Sequence, residues 1–485
     1  MSEAPSDILL ASNRGPLSFH VGPDGRLSTT RGAGGLVAGL DRSGIAERVT
    51  WVCAALSDAD RTAAHTAPNG RLDLAGHAVR GKVRMLPIDP TVFSHAYNGV
   101  ANSVLWFVHH LLFDVARSPE FDHSFGRAWL DYQTYNSTFA DALAADAAPG
   151  ARVLVQDYHL ALLPALLRKL RPDLRVAHFS HTPWAPPDYY RMLPDEVGTQ
   201  VLSGVLGADH AGFLTPRWAR GFLDCCEMSL AAEVDREAMT VTHEGHTTRI
   251  RVHPLGIDVA SLRERAAAPD VALHEATLAQ QVGDRAVIVR VDRTEMSKNI
   301  VRGLHAYREL LRQAPHWQGR VVHLVIAYPS RHELPEYREY TATVQRIARE
   351  IDDEFGTESW RPLLLFTDDD FPRSLAAYRL ADVVVVNPVR DGMNLVAKEA
   401  PVVSRRDAAL VLSREAGACD SLGEHAVTVN PYDVSGTARG LDTALRMDPA
   451  ERAARSVRLV EAAAQCPPDV WFTELLTALE AIPAR

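Results

Sequence analysis

Short apolar runs recur along this chain, and each gives way to a polar stretch. Residues 8–12, 153–155, 176–180 and 211–214 form one series, and a second begins near Ala286 with 286–289, 321–326, 363–366, 383–386 and 409–412. Runs apolar on both faces and rich in β-branched residues read as strands of a parallel sheet buried on both sides. The stretches between them are helix-compatible, so the chain reads as two successive α/β series. Pro254-Leu255-Gly256-Ile257-Asp258 reads as the linker between them. This predicts a Rossmann-like unit over 1–255 and a second over 256–465. Residues 466–485 follow as a terminal segment in which 470–476 form an amphipathic helix. No internal repeat or low-complexity tract interrupts the pattern.

In open α/β sheets ligands bind beyond the carboxyl ends of the strands. The polar chemistry of this chain gathers there. Four consecutive valines, 383–386, end at Asn387-Pro388, where proline stops the ladder and a loop leads through Gly392 toward a helix beginning near Asn394. Gly392 gives that loop backbone freedom. A strand–loop–helix junction offers backbone amides and a positive dipole end to a phosphate or diphosphate. Glu399, an acceptor-only carboxylate, is placed to take both hydroxyls of a ribose. An ordinary strand-to-helix turn with a solvated Glu accounts equally well for the spacing. After the run 286–289 come Arg293 and Lys298, five residues apart. They could clamp a leaving diphosphate, the one as a fork and the other as a point charge, or be a plain solvated loop. Asp157 follows the run 153–155 and His181 follows 176–180. By residue type alone these read as a helix N-cap and a structural histidine. The glycine-rich stretch Arg31-Gly32-Ala33-Gly34-Gly35-Leu36 matches neither G-x-G-x-x-G nor the P-loop.

Composition narrows the class. With 46% hydrophobic and 23% charged residues the chain reads as a soluble globular protein. Its 51 basic against 61 acidic side chains leave a formal net charge of −10, which argues against nucleic acid and anionic membranes as partners. The five cysteines show neither metal-ligand spacing nor an even disulfide set, so a reducing cytoplasm is expected. Residues 1–8 lack the pattern of a signal peptide. The spacing of His109-His110 and Asp114 suits no zinc pattern, and Asp368-Asp369-Asp370 reads as a solvated acidic turn. No metal or cofactor is therefore expected, with Arg293, Lys298 and a helix N-terminus supplying the positive charge.

The nine residues Asp391-Gly392-Met393-Asn394-Leu395-Val396-Ala397-Lys398-Glu399 resemble the nucleotide-sugar motif of the trehalose-6-phosphate synthase family of glycosyltransferases, family 20. The resemblance covers nearly the whole chain and implies a GT-B fold, two Rossmann-like parallel-sheet domains facing across a cleft, with the C-terminal helix returning to the first. It implies that Gly35, Arg293, Lys298, Asp391, the loop through Gly392, Met393, Asn394, Leu395 and Val396, and Glu399 hold the donor. Arg14, Tyr97, Trp106, Asp157 and Arg331 would then surround a phosphorylated acceptor, with two guanidinium groups on its phosphate. Asp157, His181, Arg293 and Lys298 would carry a configuration-retaining transfer.

Two stretches depart from the family pattern. Relatives typically carry Leu-Asp-Tyr before the Ser/Thr-Lys and Gly after it, where this chain has Thr294-Glu295-Met296 and Asn299. Where relatives that make trehalose 6-phosphate carry a second Trp after the one matching Trp51, this chain has Ala54. These features are similar to a pseudo-glycosyltransferase branch that joins GDP-valienol to validamine 7-phosphate through a C–N bond. Two alternatives stay open: trehalose 6-phosphate synthesis from a nucleotide-glucose, and a non-catalytic phosphosugar-binding protein. Homodimerisation also stays open.

Overall fold

The computed structural model describes residues 5–482 apart from 23–24, 33–36, 38, 41–43, 73–80 and 332. The chain forms two compact units, Met1–Leu255 with Cys466–Arg485, and Gly256–Gln465.

The first unit is built on a sheet whose seven central strands all run parallel. Their spatial order is Lys82–Leu86, Val49–Ala54, Ser6–Ser12, Ala147–Gln156, Arg175–Ser180, His210–Phe213 and His246–Val252. Antiparallel strands close both edges: Arg71–Leu72 on one side, Thr240–His243 and Glu233–Asp235 on the other. The polar stretch after Pro16 pairs as an antiparallel hairpin, Leu17–Val21 with Leu27–Arg31. Ser6–Ser12, Val49–Ala54, Arg175–Ser180 and His210–Phe213 are buried through their interiors apart from Asp7, as doubly apolar runs require. The C-terminal helix Pro468–Glu480 belongs to this unit, where Trp471 meets Phe179 edge-on at 4.8 Å.

The second unit is a six-stranded, wholly parallel sheet ordered Leu363–Phe366, Val321–Tyr328, Ala286–Arg293, Val383–Val386, Ala409–Ser413 and Val427–Val429. In order of appearance this is 3-2-1-4-5-6, the doubly wound arrangement of a dinucleotide fold. The first six parallel strands of the first unit follow the same order. In each unit the order reverses between the first and fourth strands, and there the crossovers diverge to opposite sides and leave a crevice. Ala286–Arg293 pairs along its whole length with Val321–Tyr328 but at only two positions with Val383–Val386. The first and fourth strands of the second unit therefore part company toward their carboxyl ends.

One strand is longer than the apolar pattern predicts. The sequence reading ends it at Val289 and puts Arg293 in a loop, whereas the strand runs to Arg293. Arg290 and Asp292, two residues apart, lie on one face and bond at 2.8 Å in the interior. Pairing offsets part of the cost that would otherwise expel each charge from a buried strand.

At the join between the units, Gly256 sits where a Cβ would fall 1.9 Å from the carbonyl oxygen of Gln465. Next to it, the Ile257 amide donates to the Ala463 carbonyl at 3.1 Å. Because the obstacle is backbone, Gly256→Ala is expected to lower stability by about 1–3 kcal/mol. Thermal unfolding of wild type and variant measures this, and equal midpoints would contradict the packing described.

Candidate active site

In the second unit the crevice between first and fourth strands is closed at its floor by an ion pair. Lys298 Nζ lies 2.6 Å from Asp391 Oδ2. Lys298 ends a single 3-10 turn, Met296–Lys298, and Asp391 follows the Val383–Val386 strand. Backbone bonds join the two loops: the Val389 amide donates to the Ser297 carbonyl at 2.8 Å. Asn299 has φ 59°, the left-handed conformation a glycine would adopt at low cost and asparagine tolerates. Its side-chain amide donates to the carbonyls of Asn387 at 2.9 Å and Pro431 at 2.8 Å. Asn299 thus takes a left-handed turn and makes two cross-links with its side chain.

The Asp391–Glu399 loop is held from its other side. The amides of Gly417 and Ala418 donate to the carbonyls of Asp391 and Met393 at 3.1 and 2.7 Å. The loop's left-handed residue is Asn394, φ 74°, a position not singled out for its backbone by sequence. Its side chain donates to Asp391 at 3.1 Å and accepts the Ala397 amide at 3.2 Å, so it orients the carboxylate and caps the helix together. That helix is Val396–Val403, starting two residues later than the sequence reading has it. Gly392 and Met393 are buried, and Leu395 packs against Ile257, Val402 and Ala463. Glu399 lies in the first helical turn, half-buried, and burial pushes its carboxyl up to about 7.

Charge in this crevice is concentrated. Burial disfavours the Lys298 ammonium, but the carboxylates of Asp391, Asp292 and Glu295 outweigh it and hold its pKa above the ordinary value. Burial also opposes ionisation of Glu295, yet Arg293, Arg331 and Lys298 pull its pKa down to about 2. Asp292 moves the other way: burial prevails over Arg290 and Lys298 and lifts it to about 6. Arg293 Nη1 lies 3.0 Å, and Arg331 Nη1 3.2 Å, from the same Glu295 oxygen. Sequence reasoning treated Glu295 only as part of an altered loop and missed this bridging role.

The first unit carries a second cluster at its own switch point. Asp157, directly after the Ala147–Gln156 strand, has φ 71° and ψ 171°. A non-glycine residue in this region costs of order 1–3 kcal/mol. The N-cap expectation for Asp157 does not hold, because its side chain makes no cap bond to the turn that follows. Instead its carboxylate accepts the His181 amide at 3.2 Å, and its own amide donates to Phe179 at 2.7 Å. The His181 ring Nε2 lies 2.8 Å from Gln156 Oε1, and Trp471 and Phe179 flank the ring at 5.6 and 4.8 Å. An amide oxygen only accepts, so Nε2 carries the proton and Nδ1 is left as an acceptor. Gln156 and Trp471 were not picked out by sequence, since an amide beside an Asp and an aromatic on a distant helix give no local signal.

The remaining predicted residues of this unit lie nearby or in their own layer. Arg14 follows the first strand and donates to the Tyr97 hydroxyl at 3.5 Å. Tyr97 stacks between Phe93 at 5.2 Å and His159 at 5.5 Å. It sits on a π-helical segment, His95–Leu105, a winding frequent at functional sites. Trp106 begins the next helix, buried, with its ring 3.8 Å from that of His110 and 5.8 Å from Tyr158. Ala54 ends its strand buried, its amide donating to Asn13 at 3.2 Å. Gly35 lies outside the described residues.

Other polar groups have structural employment. His110 Nδ1 bonds the Trp106 carbonyl at 2.9 Å, His109 accepts the Ala185 amide at 3.4 Å, and Asp370 caps the Phe371–Leu380 helix. Among the described residues no three His, Cys, Asp or Glu side chains gather as metal ligands would. A cavity of about 750 Å³ in the first unit, lined by residues including Arg249, Arg251, His253, Asp469 and Glu474, contains none of the predicted residues.

Residues 6–481 match the model of glycosyltransferase family 20. The chain belongs to glycosyltransferase family 20. It is a transferase with the family's GT-B class of fold, two Rossmann-like parallel-sheet units. It is 33% identical over 483 residues to a validamine 7-phosphate valienyltransferase of Streptomyces hygroscopicus subsp. jinggangensis, covering 98% of this chain and 95% of that one. It is 32% identical over 472 residues to a UDP-forming alpha,alpha-trehalose-phosphate synthase of Aspergillus niger, covering 94% and 93%. Among solved structures it is similar to one described as trehalose-6-phosphate from E. coli bound with UDP-2-fluoro glucose, with TM-score 0.86, 27% identity and coverage of 99% and 100%. No helix among the described residues is long and apolar enough to cross a membrane.

The electrostatics of this family member yield a direct expectation for His181. Burial, with the neighbouring His178, lowers its pKa to about 4. The ring should therefore stay neutral, protonated on Nε2, from roughly pH 5 to 8. Nitrogen-15 chemical shifts of the histidine rings report both protonation and tautomer. A midpoint near the ordinary value of about 6.5 would contradict the half-buried, Gln156-bonded ring.

Proposed function

We propose that the chain is a retaining pseudo-glycosyltransferase that joins GDP-valienol to validamine 7-phosphate, giving validoxylamine A 7′-phosphate and GDP. The observation that carries a diphosphate-leaving transfer is the Lys298–Asp391 pair, 2.6 Å, which locks two strand-end loops together at the switch point of a nucleotide fold. Arg293 and Lys298 hold the departing diphosphate, where negative charge grows in the transition state. The amides of the Asp391–Val396 loop and the Val396–Val403 helix complete the donor site of this unit, and Glu399 takes the ribose hydroxyls. In the second unit Arg331 is assigned to the phosphate of the acceptor; in the first unit Arg14, Tyr97, Trp106 and Asp157 are assigned to acceptor recognition.

The chemistry asks little of a general base. The bond from the valienol carbon to the diphosphate oxygen breaks as the carbon–nitrogen bond forms on the same face. The amine proton passes to the departing phosphate oxygen. An unsaturated cyclitol spreads positive charge over an allylic system in place of a sugar ring oxygen, and an amine is a stronger nucleophile than a hydroxyl. His181, neutral, offers Nδ1 as an acceptor to a hydroxyl of the transferred group. No metal is assigned, because the cationic side chains supply the charge that one would. We place the protein in the cytoplasm.

Support for the C–N branch comes from the 33% identity to the valienyltransferase and from Ala54, a small buried residue at the position where the family resemblance implies a Trp in trehalose-phosphate-forming members. The second reading, trehalose 6-phosphate synthesis, is favoured by relatives of nearly the same identity, 32% for the Aspergillus niger synthase. One assay decides between them. The protein is incubated with GDP-valienol and validamine 7-phosphate, or with UDP- or GDP-glucose and glucose 6-phosphate, and products are identified by mass. The expected product is validoxylamine A 7′-phosphate, with little or no trehalose 6-phosphate. Efficient trehalose 6-phosphate formation would overturn the branch and leave the donor site standing.

A further inference from the structure

We propose that Glu295 is a positioning residue shared by both substrate sites: one buried carboxylate aims Arg293 at the donor diphosphate and Arg331 at the acceptor phosphate. What the two arginines hold rests on the reading above; the linkage between them rests on geometry.

Arg293 ends one strand, and Arg331 follows its neighbour, Val321–Tyr328. Glu295 lies between these strand ends with its side chain wholly buried, although Arg293 is 44% exposed. A single oxygen, Oε1, gathers three groups: Arg293 Nη1 at 3.0 Å and Arg331 Nη1 at 3.2 Å as ion pairs, and the Ser330 hydroxyl, which donates to it at 2.8 Å. The other oxygen, Oε2, is buried without a hydrogen-bond partner. A carboxylate placed only to stabilise the fold would spread its donors over both oxygens, because a bare buried oxygen is costly. Here the arrangement serves the donors, fixing two guanidinium groups that would otherwise repel.

Each arginine is also constrained from its own side. Arg331 has φ 48°, donates to the Tyr337 hydroxyl at 3.0 Å and lies over the Tyr337 ring at 5.5 Å. The Thr294 amide and hydroxyl bond the Tyr328 and Ala327 carbonyls at 2.7 and 3.1 Å, stitching the Arg293–Glu295 segment to the neighbouring strand end. Glu295 is thus the polar side chain through which the two arginines meet. Its removal should disturb both sites together.

A pair of double-mutant cycles read by calorimetry tests this on the full chain. The probes are GDP and UDP for the donor site. For the acceptor site they are validamine 7-phosphate and glucose 6-phosphate. Glu295→Gln is expected to weaken the nucleotide and the phosphorylated acceptor by about tenfold each. In the Arg293→Ala background it should weaken the nucleotide no further, and in the Arg331→Ala background the acceptor no further. Glu295→Asp keeps the charge with a shorter reach and should lose less. Melting temperatures confirm that each variant is folded, and if Glu295→Gln is not, the same cycles with Glu295→Asp decide. Effects on one ligand only, or effects that simply add to those of the arginine variants, would overturn the proposal. A wild type that binds neither nucleotide overturns the transferase reading and this inference with it.

Discussion

The second unit depends on one constraint: two parallel strands that separate at their carboxyl ends must be held at a fixed spacing where they part. The Lys298–Asp391 pair does this, at 2.6 Å between side chains each about 15% exposed or less. An ion pair so sheltered is costly to form unless its remaining donors and acceptors are matched. The Asn394 amide supplies one such match to Asp391, while the Asn299 cross-links and the backbone bond from Val389 to Ser297 hold the two loops that carry the pair. Without these the crevice would have no defined width, and a diphosphate would meet two loose loops.

Around that pair the unit stores charge that no isolated fold would keep. Glu295 stays ionised because Arg293, Arg331 and Lys298 surround it, while Asp292, one buried face away, is lifted to about 6. Strongly perturbed groups of this kind cluster at functional sites, and ion-pair networks produce them as well. Glu399 extends the pattern: with its carboxyl pushed up to about 7, it is partly protonated at neutral pH in the empty protein. Two ribose hydroxyls donating to it would favour the ionised form, so nucleotide binding and proton release are linked at this residue. In the first unit the same logic runs the other way, with burial keeping His181 and His178 uncharged beside the strained Asp157.

Much of this was legible in the sequence, for reasons that differ by element. Doubly buried parallel strands leave continuous apolar runs, so Val383–Val386 and Leu363–Phe366 were read to the residue. The strand through Arg293 was cut short because its polar end is neutralised by the Arg290–Asp292 pair, a contact that hydrophobic pattern does not register. Arg293 and Lys298 were legible from their place at the polar end of an apolar run, and Asp391 from the nine-residue motif it opens. The groups that orient them were not. Asn299 and Asn394 act through left-handed backbone, Gln156 through the tautomer it imposes, Trp471 through a helix remote in the chain, and Glu295 through one oxygen shared by three groups. Such roles exist only once the fold brings the partners together.

The central claim is that the crevice floored by Lys298 and Asp391 receives a nucleoside diphosphate. Hydrogen–deuterium exchange of the full chain, with and without saturating GDP or UDP, locates the ligand on the backbone. The account predicts slowed exchange in the segments 293–300 and 391–399 together, the two loops joined by that ion pair. Protection confined to other segments, such as those lining the cavity beside Arg249 and Glu474, or no protection with either nucleotide, would contradict it.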